Sequence, residues 1–270
     1  PAGFCNVNNL FEVNTEQASS IEVMRGPASA LYGGNALHGV INSVSLNQFD
    51  GRSVSVEAGP HGYGQIRTRI GSETFQLTAN GTKSDGYRAD TGYGQQKLNA
   101  SWSSSGNEWD AVHIVSLTNL NQETGGYVKG YRAYEDSELR KTNPNPEAYR
   151  DAWSFRGSSH WRRDNENGEL SLIPYVRKSG MAFFQHFLPG QPLERNEQTS
   201  AGLIGKILRG NDHFEWSLGG HLEMLVGALS QRQWLPTTGS AYLVATRPQG
   251  THYDFELSSF MAALFYDATI

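Results

Sequence analysis

The sequence predicts an all-β transmembrane antiparallel β-barrel, of which about ten strands are present, preceded by the end of a small α+β domain. Three observations predict it. Apolar and polar residues alternate with period two over several long segments. The connections between those segments alternate between short polar turns and long loops. No run approaches the roughly 18 apolar residues of a membrane-spanning helix, so any membrane crossing must use strands. A mean hydropathy of −0.52 is compatible with that, because a barrel hides its lipid-facing residues at every second position.

The first elements lie in residues 21–44, IEVMRGPASALYGGNALHGVINSV. Ile21 and Val23, alternating with Glu22 and Met24, fit a short strand with one buried face. Gly26-Pro27 stops it, because proline lacks a backbone N–H and has a fixed φ. Residues 28–32 read as a helical turn with Pro27 at its first position. Gly33-Gly34 permits positive φ and close backbone approach. Residues 40–44 return to a strand rich in β-branched residues. The glycines do not make a phosphate loop, since neither Gly-Lys-Ser/Thr nor Gly-x-Gly-x-x-Gly is present. His38 reads as a packing histidine.

From about Asp50 the chain reads as a wall. In 214–228, Phe214, Trp216, Leu218, Leu222, Met224 and Val226 share one parity, and Glu215, Ser217, His221 and Glu223 the other. The same pattern recurs in 152–161, 74–82 and 97–104, and more weakly near 53–59, 64–71, 109–122, 168–179, 198–208 and 254–267. Tight polar turns fall at 71–73, 104–107, 164–168 and 210–212. Longer connections fall at 84–95, 124–151, 181–197 and 230–252. Pro174 interrupts one of the strands and predicts a bulge there.

Composition excludes several classes. Of 270 residues, 11% are aromatic and the net charge is −5, which is not a disordered chain. The pI near 5.9 and scattered basic residues give no footprint for nucleic acid. Cys5 is the one cysteine, so no disulfide forms within the chain. It is a free thiol or pairs with a cysteine upstream of residue 1. His221 and Glu223 share a face, but no third ligand stands at a zinc spacing, and no metal site is expected. No nucleophile elbow, His-Glu-x-x-His or kinase-like set is present, so no catalytic residue, enzyme activity or cofactor is expected.

Residues 21–42 resemble the last part of the plug domain of TonB-dependent outer-membrane receptors, whose pattern reads roughly I-E-V-x-R-G-P-x-S-x-L-Y-G-x-x-A-x-x-G-V-I-N. The resemblance implies a plug segment at 1–48 and the first part of a receptor barrel at 49–270. It implies that Arg25, Gly26, Pro27, Gly33, Gly34 and Gly39 seat the plug in the barrel, with the arginine pairing barrel carboxylates. It implies a strand leaving the plug outward, so that 59–62 and the long connections are external loops. Barrels of this family have about twenty-two strands, so the chain is expected to be a fragment. The resemblance also implies transport into a Gram-negative cell across its outer membrane. Energy would come from TonB, acting through a more N-terminal part of the plug, and lipid would surround the barrel. Aromatic and cationic residues in the long loops suit a ferric siderophore or similar metal chelate: Tyr127, Tyr131, Arg132, Tyr134 and Arg140, with Phe183, Phe184 and His186. A soluble β-rich surface binding or adhesion protein is the alternative. It accounts for the alternation but not for the plug-like stretch.

Overall fold

The computed structural model describes residues 11–15, 18–26, 39–45, 49–166, 168–211 and 213–269. Strands β1 (Ala18–Arg25) and β2 (Gly39–Ser45) pair antiparallel as a two-stranded sheet, with Arg25 opposite Gly39. Gly39 has φ +144, and a Cβ there would lie 2.6 Å from the Met24 carbonyl oxygen, so only glycine fits the approach. The helical turn expected at 28–32, together with Cys5 and His38, lies outside the described residues.

The wall is one ten-stranded sheet in which each strand pairs with its sequence neighbours. Its strands are β3 (Gly51–Ala58), β4 (Gly64–Gly71), β5 (Phe75–Ser84), β6 (Tyr93–Gly106), β7 (Trp109–Glu123), β8 (Tyr149–Asn165), β9 (Gly168–Phe184), β10 (Leu193–Asn211), β11 (Phe214–Gln233) and β12 (Gly250–Thr269). All pairings are antiparallel. No helix among the described residues is long and apolar enough to cross a membrane, which says nothing of crossing by strands.

The short turns come from local chemistry. Asn107 and Glu108 both have positive φ, 50° and 67°, which is the two-residue hairpin geometry matched to strand twist. The strands reach further into the long connections than the sequence pattern predicts. The connections run 85–92, 124–148, 185–192 and 234–249, because pairing with the neighbouring strand continues after the apolar–polar alternation has faded. The last of them holds a short helix, α1 (Ala241–Thr246), not expected from the sequence; the Ser240 side chain caps it by accepting from the Leu243 amide.

Pro174 does not bulge its strand. The β8–β9 register is the same on both sides of it, Ser158 with Tyr175 and Trp161 with Leu172, and pairing lapses only between them. The missing N–H removes a ladder bond without displacing the chain.

The two faces differ as the alternation predicts. One carries exposed apolar residues, among them Ile66, Leu117, Val176, Leu222, Met224 and Phe260. The other buries small polar groups: Thr78, Asn80, Thr118, Ser154, Ser200 and Ser217. Segment 11–15 lies on this polar face. Phe11 packs against Leu120, Ala152 and Met181, with Tyr93 and Phe183 beside them. The Lys97 ammonium donates to the Val13 carbonyl at 3.3 Å. The covered side is the inner face, and the apolar side is the outer one.

Candidate functional site

Two regions of the wall carry concentrated polar chemistry: the middle of the inner face and the long-loop end.

On the inner face, Tyr175 and Arg177 of β9, Ser200 of β10, and His221 and Glu223 of β11 converge. Strand pairing sets them side by side: Tyr175 faces Gly202, and Gly202 faces Glu223. Gly202 keeps that place open, since a Cβ there would lie 2.5 Å from the Tyr175 ring. Glu223 is 3% exposed and accepts from Arg177 Nη2 at 2.9 Å and from the Tyr175 hydroxyl at 2.7 Å. Arg177 Nε donates to Ser200 Oγ at 2.9 Å, and the Tyr175 hydroxyl lies 2.7 Å from His221 Nε2. A carboxylate this buried needs such partners. The parity of His221 and Glu223 was legible, but their partners across two strands were not.

At the loop end, three connections are tied together. Arg88 reaches from 85–92 into 124–148: its Nε donates to the Thr142 carbonyl at 2.9 Å and its Nη2 to the Gly126 carbonyl at 2.6 Å. The Ala89 amide donates to the Lys141 carbonyl at 2.9 Å, and Asn143 Nδ2 to the Asp90 carbonyl at 2.8 Å. Gln191, from 185–192, donates to Glu147 Oε1 at 2.7 Å. Arg88 is not distinguished in the sequence, since nothing in its spacing sets it apart from a solvated arginine.

This tie leaves the aromatics of 124–148 outside. Tyr127, Tyr131 and Tyr134 are 80%, 94% and 69% exposed. Arg132 stands between the last two with φ 54, in ion-pair contact with Glu135. That carboxylate holds the guanidinium above its ordinary value against slight desolvation, with the Tyr134 and Tyr131 hydroxyls adding to it. Arg140 is exposed in the single turn Leu139–Lys141.

The second expected group is divided. Phe183 and Phe184 belong to β9 rather than to a loop. Phe183 faces inward beside the Phe11 cluster, and Phe184 stacks on Tyr149 with ring centroids 6.1 Å apart. His186 is in the loop, edge-on to Phe187 at 5.7 Å. The reason is the longer pairing of β9 with β10, which keeps 183 and 184 in the ladder.

Of the expected docking residues, Arg25 is exposed and makes no ion pair among the described residues. Gly26 has φ +88 with open space where a Cβ would be. Pro27, Gly33 and Gly34 lie outside the described residues. Among the described residues no set of three His, Cys, Asp or Glu side chains could hold a metal.

Residues 3–40 match the family described as TonB-dependent Receptor Plug Domain. The fold resembles several solved structures. The unliganded ferric citrate transporter FecA is 12% identical with a TM-score of 0.71, over 95% of this chain and 41% of that one. FpvAI, solved with pyocin S2, is 10% identical with a TM-score of 0.73, over 92% and 39%. The siderophore receptor PiuA from Acinetobacter baumannii is 12% identical with a TM-score of 0.64, over 93% and 44%. The chain thus spans about two fifths of the length of these proteins.

Proposed function

We propose that this chain, which carries a TonB-dependent receptor plug segment ahead of a barrel wall of the same fold, is part of a transporter for a scarce ligand in a Gram-negative outer membrane. The plug segment divides from the wall near residue 48. The long loops meet the ligand first, and TonB, driven by the inner-membrane proton gradient, acts on the plug to open a path. No bond in the ligand is made or broken.

One observation carries the reading. Segment 11–15 falls within the plug-family match and packs on the inner face of the wall, where a gate would have to sit. The cargo class follows from the loops and the relatives together. Exposed tyrosines beside Arg132 and Arg140 suit an anionic, aromatic-bearing chelate. Similar folds are named as a ferric citrate transporter, a ferric-catecholate import receptor, a siderophore receptor and a copper transporter.

The test is uptake. A strain deleted for the gene should lose accumulation of one radiolabelled iron chelate. The gene should restore it, and a protonophore should abolish it. Loop substitutions of Tyr131 and Arg132 to alanine should weaken binding to whole cells without changing the amount of receptor. Extraction of the protein into the aqueous phase without detergent would refute the reading in favour of a soluble binding protein.

A further inference from the structure

On the short-turn side of the Phe11 cluster, the inner face carries two adjacent rows of residues, set by strand register from β4 to β10. Arg67 and Lys97 stand in the first row, and Arg69, Arg156 and Arg177 in the second. Every other position in the two rows is Ser, Thr, Asn or Gln, and neither row holds an acid. The rows lie one side-chain repeat apart, about 7 Å.

Arg156 and Arg177 face each other directly across β8 and β9, and like charges so placed repel. Glu223 compensates Arg177. Arg67, Arg69 and Arg156 have no such partner: none of the three makes an ion pair among the described residues. Arg67 Nη2 donates to Gln65 Oε1 at 3.2 Å, and the Arg69 guanidinium lies 4.4 Å from the centre of the Phe49 ring. The Nε of each is buried without a hydrogen-bond partner. Glu12 of the plug segment is near enough for its charge to act on Arg156 without pairing with it, and its Oε1 is buried with no partner. This part of the wall holds more positive charge than the described residues neutralise.

We propose that these two rows are the path by which cargo passes the plug, and that the cargo is a chelate of net negative charge. Its carboxylate or catecholate oxygens meet Arg67 and Lys97 first, then Arg69 and Arg156. The short hydroxyl and amide side chains between the cations leave room and offer exchangeable hydrogen bonds. Spread over several strands, the cations hold an anion at many points and at none too tightly for it to leave. Segment 11–15 lies at the head of this path. Drawing it off the wall removes both the Phe11 ring and the Glu12 carboxylate that stands where the cargo would. The path rests on the reading of this chain as part of a transporter, and it extends that reading from the loops to the passage.

The test uses the full-length receptor in whole cells, freed of its native cysteines, Cys5→Ser among them. One new cysteine is placed by Ser116→Cys, directly opposite Arg156. Its reaction rate is measured with two methanethiosulfonate reagents of like size, one a sulfonate and one a quaternary ammonium. The sulfonate-to-ammonium ratio should exceed that of a free thiol by about tenfold, the scale of one unit charge at this distance in a partly wet site. Arg156→Gln should bring the ratio back toward the free-thiol value, and Arg156→Lys should keep it. The second reading is uptake of radiolabelled iron, given as ferric citrate or as a ferric tris-catecholate. For whichever chelate the cells accumulate, Arg156→Gln should slow uptake about tenfold at saturation, with the half-saturating concentration for surface binding as in the parent. A free-thiol ratio at Ser116→Cys is what a role confined to seating the plug would give. That ratio, no reaction there in energised cells, or a parental uptake rate in Arg156→Gln would each overturn the path and leave the transport reading standing. Accumulation of neither chelate would overturn the transport reading, and the path with it.

Discussion

Replacing Arg88 with alanine should release the loop that presents Tyr127, Tyr131 and Tyr134. The guanidinium makes two hydrogen bonds to backbone carbonyls of that loop, at Thr142 and Gly126. The Thr142 carbonyl is exposed and the Gly126 carbonyl buried; taking each bond at the typical net value of about 1 kcal/mol is a lower bound for a charged donor. Losing both costs about 2 kcal/mol, which raises the fraction of time the loop is open by about thirtyfold. Hydrogen exchange reads this directly. The amides to follow are Gly126, which donates to Asn143 Oδ1 at 3.1 Å, and Thr124, which donates to the Ala148 carbonyl at 2.8 Å. Both should exchange faster in Arg88→Ala, while the amides of β9 and β10 stay protected. Arg88→Lys offers one compact ammonium in place of a planar fork and should show about half the loss in free energy. Unchanged exchange at Gly126 and Thr124 would refute the argument that Arg88 ties the loops. The consequence for binding is entropic: a loop already ordered costs less to order on a ligand.

Two further predictions test the same logic elsewhere. Asp136 accepts from the Leu139 and Glu138 amides at 2.9 Å each, and these bonds, Leu139 first, hold its carboxyl below its ordinary value of 3.8. Its folded value is depressed, so the turn is fully supported above pH 3.8 and loses that support as pH falls through the folded value. The Leu139 amide should lose protection, measured against its intrinsic exchange rate at each pH, on acidification below about pH 4, and Asp136→Asn should remove that pH dependence of protection. On the inner face, Glu223→Ala removes the carboxylate from Arg177 and Tyr175 and should cost about 3 kcal/mol, the lower end for a broken buried pair because Arg177 is partly solvated. Glu223→Gln keeps an acceptor for the tyrosine and should cost clearly less. Equal urea midpoints for both variants and the parent, in detergent, would refute the role given to this network.

The wall was legible because burial imposes period two. Once Phe214, Leu218, Leu222 and Met224 occupy one parity, a one-residue slip would send every side chain to the wrong face. Turn chemistry fixed the short connections for the same local reason. The strand ends were less legible. Near 181–184 both faces are apolar and near 230–233 both are polar, so the alternation fades in each, and only continued pairing with a neighbour keeps the backbone extended. That is why Phe183 and Phe184 read as loop residues and proved to be strand residues.

The candidate site divides along the same line. Tyr127, Tyr131, Arg132, Tyr134 and Arg140 are visible in sequence as aromatics and cations in a long connection, because composition alone marks such a loop. Arg88 and the Tyr175–Arg177–Glu223 set are not visible, because each depends on partners 38 to 54 residues away.

By itself the sequence determined which face each wall residue takes, where the short turns fall, and, through residues 21–42, the family it resembles. Those are local facts, set by side-chain period, backbone φ and a contiguous motif. Tertiary structure alone decided how far the strands run, which loops are tied by Arg88, and which charges meet on the inner face. Those facts depend on register between strands, and register is fixed only when many weak pairings across the whole sheet are satisfied together.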